Sequence, residues 1–330
     1  MSNIREVARL AGVSVATVSR ALSHPEKVAP ATLEKVQAAI AELDYRPNML
    51  ARNFRQARAF AIVVLVPDLS NSFFATVIRA IEDRAQQRGY VVLLGDTRDS
   101  RVRERSCLRL VETRLADGVI QLSPHATAHP DRDEILCVYA CGCENTPAPS
   151  VRIDNVRAAR TVVEHLLALG HRRIGVISGL RDNPHSRDRL KGYKQALRAA
   201  GLAFEPSWVA EGDFTLASGL EAARRLLARR EARPTALFCM NDEMAIGALR
   251  AAKTLGLEVP KQLSVTGFDD IRYAPYTDPP LTTVAQPAEA MGRAAADLLL
   301  DRIEQRAGDN ELVVLPFEFI VRGSTGPAPG

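Results

Sequence analysis

Aromatic residues make up only 5% of this 330-residue chain, against 46% hydrophobic residues overall, so any core it builds is largely aliphatic. No stretch approaches the ~18 uncharged apolar residues that a membrane span requires. The opening Met1-Ser2-Asn3-Ile4-Arg5-Glu6 lacks the apolar run of a secretory leader, and the chain is expected to stay in the cytoplasm without a membrane partner. Cysteines are few and odd in number (Cys107, Cys137, Cys141, Cys143, Cys239), which speaks for reduced thiols and not a disulfide framework. Cys141-Gly142-Cys143 is at most half a metal motif, because a tetrahedral zinc site takes about four ligands and no second pair is spaced to supply them. No metal and no cofactor are expected. Gly-x-Gly-x-x-Gly turns, a Gly-Lys-Ser/Thr phosphate loop and a Gly-x-Ser-x-Gly elbow are all missing, as is any obvious Ser/His/Asp or Cys/His arrangement. Dinucleotide, nucleoside-triphosphate and hydrolase chemistries lose their support, and the chain is expected not to be an enzyme.

What is present is unevenly distributed. Residues 1–58 hold nine Lys and Arg against five Asp and Glu, whereas the remaining 272 residues balance at 34 of each, so the whole formal excess of +4 sits at the N-terminus. A small basic segment on a long neutral one suggests a polyanion-binding head joined to a body. In the head, Ile4, Val7, Ala8 and Ala11 recur at helical spacing and Gly12 offers a positive-φ stop. Ser14 can cap a second helix over Val15 to Leu22, and Pro30 suits the first turn of a third, with Leu33, Val36, Ile40 and Leu43 as its stripe. Two helices separated by so short a turn, with small residues and Arg20 on the free face of the second, make a helix-turn-helix that can enter a major groove. Arg20 is the candidate for reading a guanine edge. Asn48 can cap a very short hinge helix over Met49 to Arg55, too few residues to hold a helix alone.

From residue 60 onward, near-continuous apolar runs alternate with amphipathic helical patterns. The runs are Ala61 to Pro67, Tyr90 to Asp96, Gly118 to Ser123, Ile135 to Ala140, Arg173 to Gly179, Ala236 to Asn241 and Leu263 to Asp270. Runs apolar on both faces imply parallel sheets covered by helices, and the series falls into two comparable halves: an α/β body of two doubly wound lobes with a cleft at the strand carboxyl ends. The turns at those ends carry Phe73, Phe74, Asp154, Asn183, His185, Arg189, Phe214 and Asp269. Carboxylates and amides there suit hydroxyls and ring nitrogens, and an aromatic face suits a planar base or sugar. Each has a plainer reading as a helix cap, a core residue or a solvated loop residue.

Ile4 to Leu22 and Leu43-Asp44-Tyr45-Arg46-Pro47-Asn48 closely resemble the headpiece of the lactose-repressor family, and the likeness runs on to Val321-Arg322-Gly323-Ser324-Thr325. The resemblance implies a headpiece over 1–46, a hinge over 47–59 and a periplasmic-binding-protein-like effector and dimerisation domain over 60–330. The N-lobe is expected near 60–155 plus 286–315 and the C-lobe near 156–285 plus 316–330. It also implies that Val15, Ala16 and Arg20 discriminate operators while Ser14, Thr17 and Ser19 contact phosphates. In such a hinge Asn48, Leu50, Ala51 and Phe54 meet the minor groove; Phe54 stands where most members carry Leu, and packing of the linker onto the sensor is its alternative role. The eight cleft residues would line an effector site in which Arg189 and Asp269 grip vicinal hydroxyls. The partners implied are a pseudo-palindromic DNA operator, a small effector and a second copy of the chain in a homodimer. Ala140 to Glu144, Val151 to Asn155 and Asp278 to Thr283 resemble the cytidine-repressor branch most, which makes a ribonucleoside the first effector and a sugar or purine the next. The alternatives are a solute-binding protein with no DNA role and a Rossmann-type enzyme.

Overall fold

The computed structural model describes residues 3–45, 58–98, 100–123, 135–142, 148–228, 233–306 and 311–329. It divides into two compact units, Met1–Ala59 and Phe60–Gly330.

The first unit holds α1 (Ile4–Ala11), α2 (Val15–Ser23) and α3 (Pro30–Glu42). Each boundary has a local cause. Asn3 and Glu6 form a reciprocal capping box at the start of α1, a device of about 1 kcal/mol. At its end Gly12 takes φ 67°, a left-handed conformation that a side chain would resist. Ser14 accepts from the Thr17 backbone N–H at 3.1 Å and so opens α2 two residues later. Val7, Ala8, Ala11, Val18, Ala21, Val36 and Ala39 then close a core of this unit's own.

In the second unit β1 (Ala61–Val66), β2 (Val91–Asp96), β3 (Val119–Gln121), β4 (Cys137–Ala140), β5 (Ser150–Arg152) and β11 (Leu312–Val314) make one parallel sheet, ordered β11-β5-β4-β3-β1-β2. Helices α4 (Ser72–Gln87) and α5 (Arg101–Glu112) belong to this lobe. The second sheet is β7-β6-β8-β9, from β6 (Ile174–Ser178), β7 (Val209–Glu211), β8 (Ala236–Cys239) and β9 (Ser264–Thr266). Its helices are α6 (Asn155–Ala168), α7 (Pro184–Ala199), α8 (Leu216–Leu227) and α9 (Asp242–Thr254). β10 (Thr283–Ala285) and β12 (Glu318–Ile320) pair antiparallel, and α10 (Ala288–Ile303) returns the chain to the first lobe against α4. β5 to α6, β10 to α10 and β11 to β12 are therefore the three passages between lobes. Strands β1, β6 and β8 are buried almost throughout, as expected for parallel strands covered on both faces.

The C-terminal tail is fastened by a fully buried histidine. His171 Nε2 faces the Gly326 carbonyl at 3.0 Å and the Ser264 hydroxyl at 3.0 Å, while Nδ1 lies 2.9 Å from the Thr235 hydroxyl. The carbonyl requires a proton on Nε2, so Nδ1 accepts from Thr235. Burial holds the pKa of His171 below its usual value. The unfolded chain therefore takes up a proton in a pH range where the folded one does not. Stability is full above about pH 6.5, the free-histidine value, and declines as pH falls from there toward the depressed folded pKa. Urea unfolding at pH 7.5 and 5.5 should show this decline, and H171Q should be less stable at pH 7.5 yet lose less on acidification; equal acid losses in the two proteins would exclude His171 as a source.

Candidate functional sites

In the headpiece, α2 turns Val18 fully into the core and leaves Ser14, Val15, Ala16 and Arg20 exposed, with Thr17 and Ser19 half-buried. Ala16 and Arg20 are one turn apart, so a small side chain and a long cation share a face. Arg20 has no ion-pair partner among the described residues, which leaves its guanidinium for an external acceptor. Ser14 and Thr17 also share a hydroxyl contact at 2.8 Å, so both are partly occupied by capping. Asn48, Leu50, Ala51 and Phe54, with the expected hinge helix, lie outside the described residues.

In the body, the strand ends of both lobes face a cavity of roughly 760 Å³, open mouth included. Phe73, Phe74, Asn183, His185, Arg189, Phe214 and Asp269 line it together. Phe73 and Phe74 meet edge to face with centroids 5.5 Å apart. Asp154 is not among them: its carboxylate accepts from the Arg157 N–H at 2.9 Å to cap α6, and it borders a neighbouring depression with Gly142 and Arg152. Of the two roles open to Asp154 in the sequence, the helix cap is the one seen here. Cys141, the described half of the Cys-Gly-Cys motif, lies in the cavity wall, where burial pushes its thiol up to about 12 and keeps it protonated.

The polar centre is Arg189. Its Nε donates to Asn155 Oδ1 at 2.9 Å, Nη1 donates to the Met240 carbonyl, and the guanidinium lies 3.6 Å above the Phe268 ring. Nη2 is 3.9 Å from Asp269 Oδ1, too far for a hydrogen bond. Burial lowers the Arg189 pKa to about 10, which still leaves it charged at neutral pH. Asp269 Oδ1 accepts from Gln286 Nε2 at 2.7 Å, while Oδ2 has no partner among the described residues. A charged donor and a free acceptor thus face the same space, the arrangement that adjacent hydroxyls can bridge.

Three cavity residues adopt strained backbone conformations. Cys141, Phe214 and Asp269 have φ of 71°, 69° and 115°, conformations costing about 1–3 kcal/mol for a residue with a side chain. Two of the three are held by surrounding bonds. The Phe214 carbonyl accepts from Asn241 Nδ2 at 2.9 Å, and the turn after Asp269 is fixed by Asp242, which accepts from the Ile271 N–H at 2.8 Å and the Thr283 hydroxyl at 2.6 Å. Asp68, Asn71, Asp213, Asn241 and Gln286 complete the polar lining. Asn71 opens the turn that carries Phe73 and Phe74, and Asn241 ends the apolar run from Ala236. Gln286 carries no such mark, since it follows a three-residue strand without an apolar run.

Two sequence profiles match the chain: residues 3–48 fit that of bacterial regulatory proteins of the lacI family, and residues 163–325 fit a periplasmic binding protein-like domain. The HTH-type transcriptional repressor CytR of Escherichia coli (strain K12) is 40% identical over 99% of this chain and 97% of its own. The chain belongs to the lacI family. Catabolite control protein A of Priestia megaterium is 37% identical over 98% of each chain. Among solved structures, the lac repressor dimer bound to operator and the anti-inducer ONPF superposes with a TM-score of 0.87 at 30% identity, covering 98% of this chain and 99% of that one. The transcriptional regulator CelR–cellobiose complex gives 0.75 at 33% identity, covering 98% and 100%. As in those relatives, a DNA-binding headpiece and a two-lobed α/β body share one chain, and this is a regulatory protein, not an enzyme.

Burial raises the Asp269 pKa to about 6, against the pull of Arg189 and the Gln286 bond. A ligand hydroxyl that donates to this carboxylate loses its acceptor when the group protonates. Effector affinity should therefore be level above about pH 7 and weaken by up to about tenfold per pH unit below 6. Calorimetric titration from pH 5 to 8 checks this, and D269N should bind more weakly throughout with a flatter profile. An affinity constant down to pH 5 would remove Asp269 from the binding set.

Proposed function

We propose that the protein is a dimeric transcriptional repressor that reads a roughly palindromic operator with α2 and tightens or releases its hold according to a small molecule bound between the lobes. The observation that carries this reading is the pairing, in one chain, of an exposed small-residue helix face bearing Arg20 with a cavity built around Arg189 and Asp269. Val15, Ala16 and Arg20 read bases; Ser14, Thr17 and Ser19 fix register on phosphates; Asn48, Leu50, Ala51 and Phe54 enter the minor groove as a hinge. Phe73, Phe74, Asn183, His185, Arg189, Phe214 and Asp269 hold the effector.

A ribonucleoside such as cytidine is the first effector to try. Aromatic walls suit a planar base, and the Arg189–Asp269 pair suits ribose hydroxyls. A sugar or a purine uses the same groups, and cellobiose occupies the CelR structure. A dimer is supported by the edge strand β2, where Val91 is 63% and Leu94 51% exposed. An unpaired apolar edge left in water invites association. Among the described residues no helix is long and apolar enough to cross a membrane, and the cytoplasm is where operator DNA is reached.

Operators enriched from random DNA and titrated by fluorescence anisotropy at two salt concentrations, with and without cytidine, adenosine and simple sugars, test the reading. A palindromic site whose affinity falls with salt and shifts with one ligand is expected. Failure to enrich any sequence would leave a binding protein without a DNA role. On the enriched site R20A should cost about 1–3 kcal/mol and relax preference at one base pair per half-site. A uniform loss across all sequences would instead make Arg20 a phosphate contact.

A further inference from the structure

Ser186 is a buried polar side chain that neither the fold nor the cavity wall uses. It lies in the first turn of α7, is 3% exposed, and its Oγ has no hydrogen-bond partner among the described residues. Buried hydroxyls are nearly always paired, because an unpaired one gives up its water bonds for nothing. Alanine would fill this place without that cost.

The position of the hydroxyl explains what it can meet. Gly179 follows directly on β6, and a Cβ built there would stand 2.7 Å from Ser186 Oγ and 2.1 Å from Phe214 Cζ. The hydroxyl and the edge of the Phe214 ring thus rest side by side on a bare α-carbon, and only glycine leaves room for both. Phe214 lines the cavity, as do Asn183 and His185 just before Ser186, whereas Ser186 does not reach it. The Phe214 ring borders both the cavity and the space beside Ser186. Its backbone is fixed, by Asn241 on its carbonyl and by the Asp213 and Thr215 N–H bonds on either side, but the side chain itself is only half-buried.

We propose that Ser186 and Gly179 form the floor of a polar subsite of the cavity, covered by the Phe214 ring, which takes a hydrogen-bonding edge of a planar ligand ring when Phe214 turns aside. The matching ligand groups are an exocyclic amine or a carbonyl, since a hydroxyl both donates and accepts. A site built around such a bond rejects analogues that lack it far more strongly than an apolar pocket can. Ser186 is then a specificity-determining residue of the effector site, and the inference rests on reading the cavity as that site.

The test uses the full chain. S186C is treated with methyl methanethiosulfonate and modification is located by peptide mass spectrometry, with the fully buried Cys239 as the internal reference for a sealed core. Residue 186 should react at least tenfold faster than Cys239, and a further tenfold faster in S186C/F214A. Reaction no faster than that of Cys239 in both backgrounds overturns the subsite. Protection by cytidine, adenosine or a simple sugar supports it and names the ligand class. Labelling that none of them slows leaves the subsite standing and overturns those effector classes instead. S186A supplies a second measurement by comparing adenosine with purine riboside, which lacks the exocyclic amine. At least a tenfold loss confined to adenosine is expected, and equal losses for both overturn the hydrogen bond.

Discussion

A guanidinium taken out of water must be surrounded by acceptors, and in this protein that demand organises the effector half of the molecule. Arg189 is 4% exposed, and its partners come from three different strand ends: Asn155 after β5, Met240 after β8, and Phe268 and Asp269 after β9. None of these residues is near another in sequence except the last pair. A charge buried without them would cost several kcal/mol, so the strands that deliver them have to end at one point. Asn155 opens α6 beside a passage between the lobes, and the arginine thereby ties that passage to the C-lobe sheet.

The same demand accounts for the strain around the cavity. A strand running straight on past β9 would carry Asp269 away; at φ 115° the chain bends back, and Asp242 holds the bend through Ile271 and Thr283. Asp242 is itself fully buried, and burial together with the neighbouring Asp269 drives its pKa well above the normal carboxyl value. Two carboxyl groups and one guanidinium share a water-poor volume, so the ionisation of each depends on the others. Strain and crowded charge are both unfavourable in isolation. They persist because the sheets on either side fix the turns, which is the usual circumstance of a binding site.

How much of this could be read beforehand depended on how local its cause is. The headpiece helices were legible, because Gly12, Ser14 and Pro30 set helix boundaries by bonds and torsions within a few positions. The long buried strands were legible from their apolar runs. Strands β5, β7, β10, β11 and β12 were not, since three residues show no periodicity and exist only by pairing with distant partners. Asp154 had two roles open to it on the sequence, and the geometry shows the cap. Cys141 and Gln286 gave no advance signal because what brings them to the cavity is a left-handed turn in one case and a lobe crossing in the other.

Gln286 also shows why a ligand in this cavity cannot be a passive guest. It follows β10, on the passage from the C-lobe sheet to α10, and it is the residue that occupies Asp269 Oδ1. A ligand that takes only Oδ2 leaves that bond in place. One that also draws Oδ1 competes with the crossing segment for the same oxygen and weakens the tie between Asp269 and the chain entering the N-lobe. The two kinds of ligand differ by one side-chain hydrogen bond at the site, while the backbone bridge from Asp269 to residues 284–286 stays in place. A conformational equilibrium moves only by such a difference in contacts between its states.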